Sequence, residues 1–476
     1  MPDPLDIVLA APTAKSSAGF PYLEPRTWEI FRDRVPHLFG FGADVIARAD
    51  AAQSDAGAVV RQVALTAAIT APPDLWLLRH VLGFFAELGL LARLVAGEAL
   101  YPEACDVVWE GKTRTLHAAE LDKDLMFLLS RGIVDQYDEG FRIAGHPRVR
   151  RIFDAMRPLA DGVPASTTAW WRRLFAGEPL GDRELEILLE IGHAAPRRTD
   201  PEQNHWICDR DELELGFRLV PIVLGLRAAN VTRSLADKAS VVPAALSPKH
   251  PSCAAAALEV LTAAGWMRRA GESYVVTTLG ARGFARGPGP FGIVETYHPY
   301  MARGRDILLE GPGGVWVRRG ENVGASQDAN RATFEQANAA LDRFCKETGF
   351  SYAVFIEHAI GRGEATRQRF AKDGAARAYV GADLEDDAID AAVAEQKAGK
   401  LPAQMLFVRH ADIGAPDVLV AALREAGLDP NGAVMLVGNG FHEVRNQTDE
   451  GMVDVFRGYH DAGVLLLFTE ENALSI

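Results

Sequence analysis

The last third of this 476-residue chain changes its period, and that change limits the fold more than any other feature of the sequence. The runs "YAVFIEHA", "ARAYVGADL", "AQMLFVRHAD", "GAVMLVGNG" and "GVLLLFTEE" are short and apolar, and helical stretches lie between them. Strands separated by helices cannot pair as hairpins. Each crosses over to lie parallel to its neighbour, which gives a doubly wound α/β sheet with helices on both faces. Ligands then bind at the carboxyl ends of the strands, where the polar residues of this region collect. The domain is expected to begin near Ser326, as N-cap of a helix that presents Phe334, Ala337, Leu341 and Phe344 to the sheet.

The first run turns into its helix through Glu357, Ala359, Gly361 and Gly363, an acid-x-small-x-Gly-x-Gly spacing. The glycines let the backbone approach a ligand closely. A dinucleotide-binding turn reads G-x-G-x-x-G, whereas Thr366 occupies the third glycine position here. A carboxylate at the strand end repels a pyrophosphate and suits a ligand carrying an ammonium and a sulfonium. The turn therefore favours a ligand without phosphates. Asp383 ends the second run about twenty residues after Gly363, where an acid can accept both ribose hydroxyls. Asp412 ends the third, positioned to meet an adenine amino group.

Upstream, residues 1–245 read as a mainly helical region, and 246–325 as a module plus a Gly/Pro-rich connector, "ARGPGPFGIVETYHPY" and "LLEGPGGVWVRRGENVG". Two passages, "LMFLLSRGIVDQYDEGFRIAGHPRVRRIF" and "ALEVLTAAGWMRRAGESYVVTTLGARGF", run helix, Gly132 or Gly265, strand, turn, strand, a winged-helix-like layout. The net charge of -14 and the lack of an arginine-rich recognition helix favour packing or dimerisation over DNA binding, so no nucleic-acid partner is expected. The four cysteines show no C-x-x-C spacing. No signal peptide opens the chain, and its most apolar segment, interrupted by Arg79, His80, Glu87 and Arg93, is too polar to span a membrane. A cytoplasmic protein is expected.

At the residues of the glycine turn and the two strand-end acids, the last third of the chain resembles the class I S-adenosylmethionine-dependent methyltransferases, which have a Rossmann-like core. The resemblance implies that Gly361 and Gly363 hold the methionine part of the cofactor, Asp383 the ribose and Asp412 the adenine side. Glu357, Leu384 and Asn439 join them as cofactor-binding residues. Ala359 stands where that family has its first glycine, and Arg362 brings a cation near the sulfonium. The family's sheet normally has more strands than the five read here, so the core looks truncated after the fifth and the chain looks like part of a longer polypeptide.

After the fourth run, "LVGNGFHEVRNQTDEGM" places His442 and Glu443 at the sheet's carboxyl edge as catalytic candidates. His442 can serve as the general base of an O-methylation. Small-molecule O-methyltransferases have a winged-helix dimerisation domain and a histidine in a similar position, in a pattern like "HDWSDE" whose aromatic residue "HEVRNQTDE" lacks. His442 can also be a metal ligand, with Gln447 and one of Glu443, Glu470 or Glu471, a nitrogen and oxygen set suited to Fe(II) or Mn(II). Such an ion can chelate a 1,3-dicarbonyl and stabilise its enolate as a carbon nucleophile. "GNGFHEVRNQTDE" with "FTEENALS", after a long helical region, resembles the metal-dependent methyltransferase of polyketide synthase starter modules with a GNAT-like domain. That resemblance implies C-methylation of a malonyl-type thioester on an acyl carrier protein, under a helical lid. A small-molecule O-methyltransferase and a non-catalytic methyltransferase-like scaffold remain as alternatives.

Overall fold

The computed structural model describes residues 3–16, 19–34, 38–138, 140–160, 162–193, 208–313, 315, 319–441, 444 and 448–469. The chain divides into two compact units, Met1–Val317 and Arg318–Ile476.

The first unit is mainly helical and is built around the 33-residue helix Asp55–Glu87. Ser54 caps it by accepting the Gly57 N–H at 3.0 Å. Its buried residues, among them Val60, Ala64, Trp76, Leu82 and Phe85, do not form a single stripe. The helix is accordingly packed on several sides, by Leu38–Ala52, Arg210–Ala228, Thr278–Arg286 and Pro288–Glu295. No described helix is long and apolar enough to cross a membrane. Cys105, Cys208 and Cys253 are buried free thiols.

Both passages read as helix followed by hairpin have that order. Ala118–Leu129 leads to the antiparallel strands Val134–Tyr137 and Gly140–Ile143. Pro251–Ala263 leads to Met267–Ala270 and Ser273–Val276, with Ser240–Val241 pairing onto the latter. Two further hairpins escape the sequence reading, Thr13–Lys15 with Pro21–Leu23 and Asp106–Trp109 with Lys112–Thr115. The latter turns through Glu110 and Gly111, with φ of 50° and 74°, the left-handed pair that a two-residue hairpin loop needs.

The first part of the expected connector, 285–300, is instead mostly helical. Thr278–Arg286, Pro288–Glu295, His298–Ala302 and Gly304–Glu310 follow one another, and Phe291 is fully buried. Pro288 sits in the first turn of its helix, where a missing N–H costs nothing. The expected boundary at 325/326 falls inside the helix Arg319–Thr348, so Ser326 is not its N-cap. Gly320 and Gly324 lower helix propensity there, but no proline stops the helix.

The second unit has a Rossmann-like α/β architecture. Its elements are α1 (Arg319–Thr348), β1 (Val354–His358), α2 (Glu364–Asp373), β2 (Ala378–Ala382), α3 (Asp386–Lys397), β3 (Leu406–Val408), α4 (Pro416–Glu425), β4 (Val434–Gly438), α5 (Asp449–Asp461) and β5 (Leu465–Thr469). The five strands are all parallel, in the order β3-β2-β1-β4-β5. Chain order reverses between β1 and β4, which makes the crevice at their carboxyl ends the natural ligand site. Alternate residues feed two cores. Val354, Ile356, Val380, Met435 and Val437 pack with Leu419, Leu423, Val455 and Tyr459 of α4 and α5. Phe355, Tyr379, Val434 and Leu436 pack with Phe334, Ala337, Leu341, Ala365, Ile389 and Ala392 of α1, α2 and α3. Each Val, Leu, Ile, Phe or Met among them contributes roughly 1.5–3 kcal/mol when fully buried. Phe344 departs from the expected face: it is 40% exposed, and its ring packs tilted against Phe350 with centroids 5.7 Å apart.

Candidate functional site

The strand ends carry the strained backbone of the unit. Ala359, His410 and Asn439, just past β1, β3 and β4, have φ of 55°, 55° and 53°. Left-handed non-glycine residues cost about 1–2 kcal/mol each and collect where a site demands a fixed loop. In the turn after β1 every second residue is left-handed, Ala359 and then Gly361 and Gly363 at 49° and 73°. The alanine in the first position is therefore accommodated, with strain that a glycine would not carry. Ile360 donates its N–H to the Ala382 carbonyl of β2 at 3.2 Å, and Gly363 donates to Ile360 at 2.7 Å, which closes the turn before α2.

Glu357 does not reach toward a ligand, contrary to the sequence expectation. Its carboxylate is 1% exposed and accepts the Ala365 N–H on Oε1 at 3.1 Å and the Thr366 N–H on Oε2 at 2.7 Å. These are first-turn amides of α2, whose N-cap Gly363 has no side chain to serve them. The strand alternation turns Glu357 to the α2 side, and the tight turn brings the helix start back over it. Burial pushes this carboxyl up to about 7, against the downward pull of the two amides. Arg362 is exposed, and its charge acts on Glu395.

Asp383 joins the turn to the next strand end. It is 7% exposed, accepts the Gly361 N–H on Oδ2 at 3.3 Å and accepts the Glu385 N–H on Oδ1 at 3.1 Å. Burial raises its pKa, with the Glu385 and Gly361 amides opposing. Its backbone ties in β3, donating to Val408 at 3.2 Å and accepting from Ala411 at 3.0 Å. Leu384 follows, half-buried. Asp412 accepts the Gly414 N–H at 2.8 Å and holds the loop after β3 in a side-chain-closed turn. Asn439 is half-buried and donates its N–H to Thr469 at 2.7 Å, pinning the end of β4 to that of β5. At Gly440 a side chain would meet Val437, Ala359 and Ile413, so the loops after β1, β3 and β4 converge there.

One group escaped the sequence reading. His358, the last residue of β1, is 2% exposed, and burial lowers its pKa to about 4. A histidine beside Glu357 at the end of the strand was the signal available. His442, Glu443, Gln447, Glu470 and Glu471 lie outside the described residues. Among the described residues no group of three or more His, Cys, Asp and Glu is arranged to hold a metal. A cavity of about 870 Å³ opens among Arg424, Leu428, Asn431 and His460, at the opposite, amino-terminal edge of β4 and β5.

The amides decide which ligands the turn can take. A phosphate-binding turn leaves its helix N-terminal N–H groups free for the anion. Here carboxylates occupy those of Gly361, Ala365 and Thr366. The turn offers a diol one buried carboxyl group, that of Asp383, and it leaves a pyrophosphate none of the Gly361, Ala365 and Thr366 amides.

No protein-family profile matches the chain, and no curated protein matches it in sequence. Among solved structures, the selenomethionine-substituted CurJ carbon methyltransferase matches at TM-score 0.29 and 12% identity, over 65% of this chain and 78% of its own. The DszA carbon methyltransferase matches at TM-score 0.27 and 14% identity, over 53% of this chain and 69% of its own. Likeness at that level leaves function to be argued from the chain's own residues.

Proposed function

We propose that the second unit binds S-adenosylmethionine and that the chain is a methyltransferase. The observation that carries this is the filling of the turn's amides by Glu357 and Asp383, which removes the anion site of a dinucleotide-binding turn. The residues present fit the group. Asp383, buried beside Gly361, keeps lone pairs for the ribose hydroxyls, and Asp412 accepts from the adenine amine. Gly361 and Gly363 let the turn backbone come close to the methionine part.

When bound, S-adenosylmethionine supplies a methyl group on a sulfonium, which a nucleophile displaces in line. The chain's part is to hold that group in one orientation. Positioning of this kind is worth up to about 7–11 kcal/mol when the reacting atoms are held at attack distance. The left-handed residues at 359, 410 and 439 fix three loops around the crevice, so that orientation is set before the ligand arrives.

The finer proposal is C-methylation of a malonyl-type thioester on an acyl carrier protein. His442 and Gln447 would hold Fe(II) or Mn(II), with Glu443 in support, and the ion would activate a 1,3-dicarbonyl. This part rests on the sequence motif alone. The test supplies methyl-labelled S-adenosylmethionine and either ion to the full chain, with malonyl-loaded carrier protein or phenolic acceptors. Label on the malonyl carbon supports the proposal. Label on a phenol oxygen replaces it with O-methylation by His442 as base, and bound cofactor without transfer to either leaves a scaffold.

A further inference from the structure

His358 stands where the two halves of the sheet diverge, paired with Ala382 of β2 on one side and Val437 of β4 on the other. Strand alternation sends Glu357 toward α2 and His358 to the opposite face, with Val354 and Ile356. The core on that face continues into Ala411, Ile413, Val437 and Phe441, so the imidazole lies under the loops that follow β3 and β4.

The state of the ring follows from one bond. Nδ1 accepts the Ala359 N–H at 2.9 Å, so the neutral ring carries its proton on Nε2. Nε2 is buried and has no hydrogen-bond partner among the described residues. Burial keeps the ring neutral, and the charge of Asp412, which stands between Ala411 and Ile413 of that core, opposes it. A buried donor without an acceptor costs about 1–3 kcal/mol, which a ligand acceptor would recover. This one sits at the edge where the ligand binds.

We propose that His358 Nε2–H donates to ring nitrogen N1 of a bound adenine, beside Asp412, which accepts from the exocyclic amine, so that the two together read the edge of the base. The assignment rests on the adenosyl-ligand reading above and adds a specificity residue to it. A donor next to an acceptor matches adenine, which offers an acceptor at N1 and a donor at its amine. Hypoxanthine reverses both, with N1–H and a carbonyl oxygen. A site that makes such contacts rejects an analogue that cannot return them, because its own buried groups are then left unpaired.

The test is calorimetric titration of the full chain with S-adenosylhomocysteine, its inosyl counterpart and its 1-deaza analogue, in which CH replaces N1. The parent is expected to bind the inosyl compound at least roughly 100-fold more weakly, and the 1-deaza analogue roughly 10-fold more weakly, than S-adenosylhomocysteine. His358→Leu should lose roughly 10-fold for S-adenosylhomocysteine while binding the 1-deaza analogue as the parent does. His358→Asn, which keeps a donor, should recover part of the loss. Equal parental binding of S-adenosylhomocysteine and the 1-deaza analogue overturns the assignment without any variant, so a misfolded His358→Leu leaves the question decided. So does a folded His358→Leu that weakens both ligands alike, which marks a structural role. If the parent binds none of the three, the adenosyl reading fails first and this assignment with it.

Discussion

Replacing Glu357 with Gln tests whether burial or hydrogen bonding governs the centre of the turn. The carboxyl is 1% exposed, and burial raises it to about 7 from an ordinary value of 4.5. Between those two values the folded chain holds a proton that the unfolded chain has released. Stability contributed by this group is therefore complete below pH 4.5 and is lost as pH rises toward 7. A gap of that size corresponds to about 3 kcal/mol, undiscounted because the group is out of solvent. The glutamine side chain of E357Q does not titrate, and its NH2 leaves one of the two α2 amides without an acceptor at a cost that does not change with pH, so it is the pH dependence arising at this position that should vanish. The expected outcome is that E357Q gains about 3 kcal/mol relative to the parent between pH 4.5 and pH 8. Urea unfolding followed by far-UV circular dichroism reads this difference. All eight tryptophans precede Arg318, so fluorescence follows the first unit separately in the same samples. A difference that stays within about 1 kcal/mol over that range refutes the reasoning, as does one of opposite sign. The latter would mean that the Ala365 and Thr366 amides dominate and hold the carboxylate below its ordinary value.

Three further substitutions probe the same region. Ala359→Gly removes a left-handed alanine at φ 55° and should stabilise the second unit by about 0.5–1 kcal/mol, read as a higher urea midpoint. Gly363→Ala puts a Cβ at φ 73° and 2.9 Å from both Leu401 Cδ atoms; a loss of about 1–2 kcal/mol and weaker S-adenosylhomocysteine binding by calorimetry are expected. Arg369→Met removes a buried guanidinium that donates to Asn338 Oδ1 at 3.1 Å, the Asn338 carbonyl at 2.9 Å and Asp342 at 2.7 Å, tying α2 to α1. Asp342 is 35% exposed and keeps Lys372, so the loss should lie near the low end for a broken buried pair, about 3 kcal/mol in urea unfolding.

The α/β sheet was legible because parallel strands are covered on both faces and read as unbroken apolar runs, which α-helical periodicity does not produce. Gly361 and Gly363 were legible because left-handed backbone favours glycine, and Asp383 because of its distance from them. The orientation of Glu357 was not. An acid at a strand end looks the same in sequence whether it faces a ligand or the amides of the next helix, and only the face of β1 and the sweep of the turn separate the two. The stretch 285–300 misled for a related reason, since Pro288 breaks a helix from within but starts one from its first turn. His358 was hidden because it follows Glu357 at the end of a short strand, where polar residues are ordinary, and the missing partner of Nε2 exists only in three dimensions.

A turn that holds an adenosyl ligand and one that holds a dinucleotide differ in what they bind. Calorimetric titration of the full chain with S-adenosylmethionine and with NAD, beside the Asp383→Asn variant, tests the proposed adenosyl site most directly. One saturable site for S-adenosylmethionine, weakened at least roughly 10-fold in the variant, with no heat from NAD, is the expected result. Saturable binding of NAD, or no binding of S-adenosylmethionine by the parent, would contradict it.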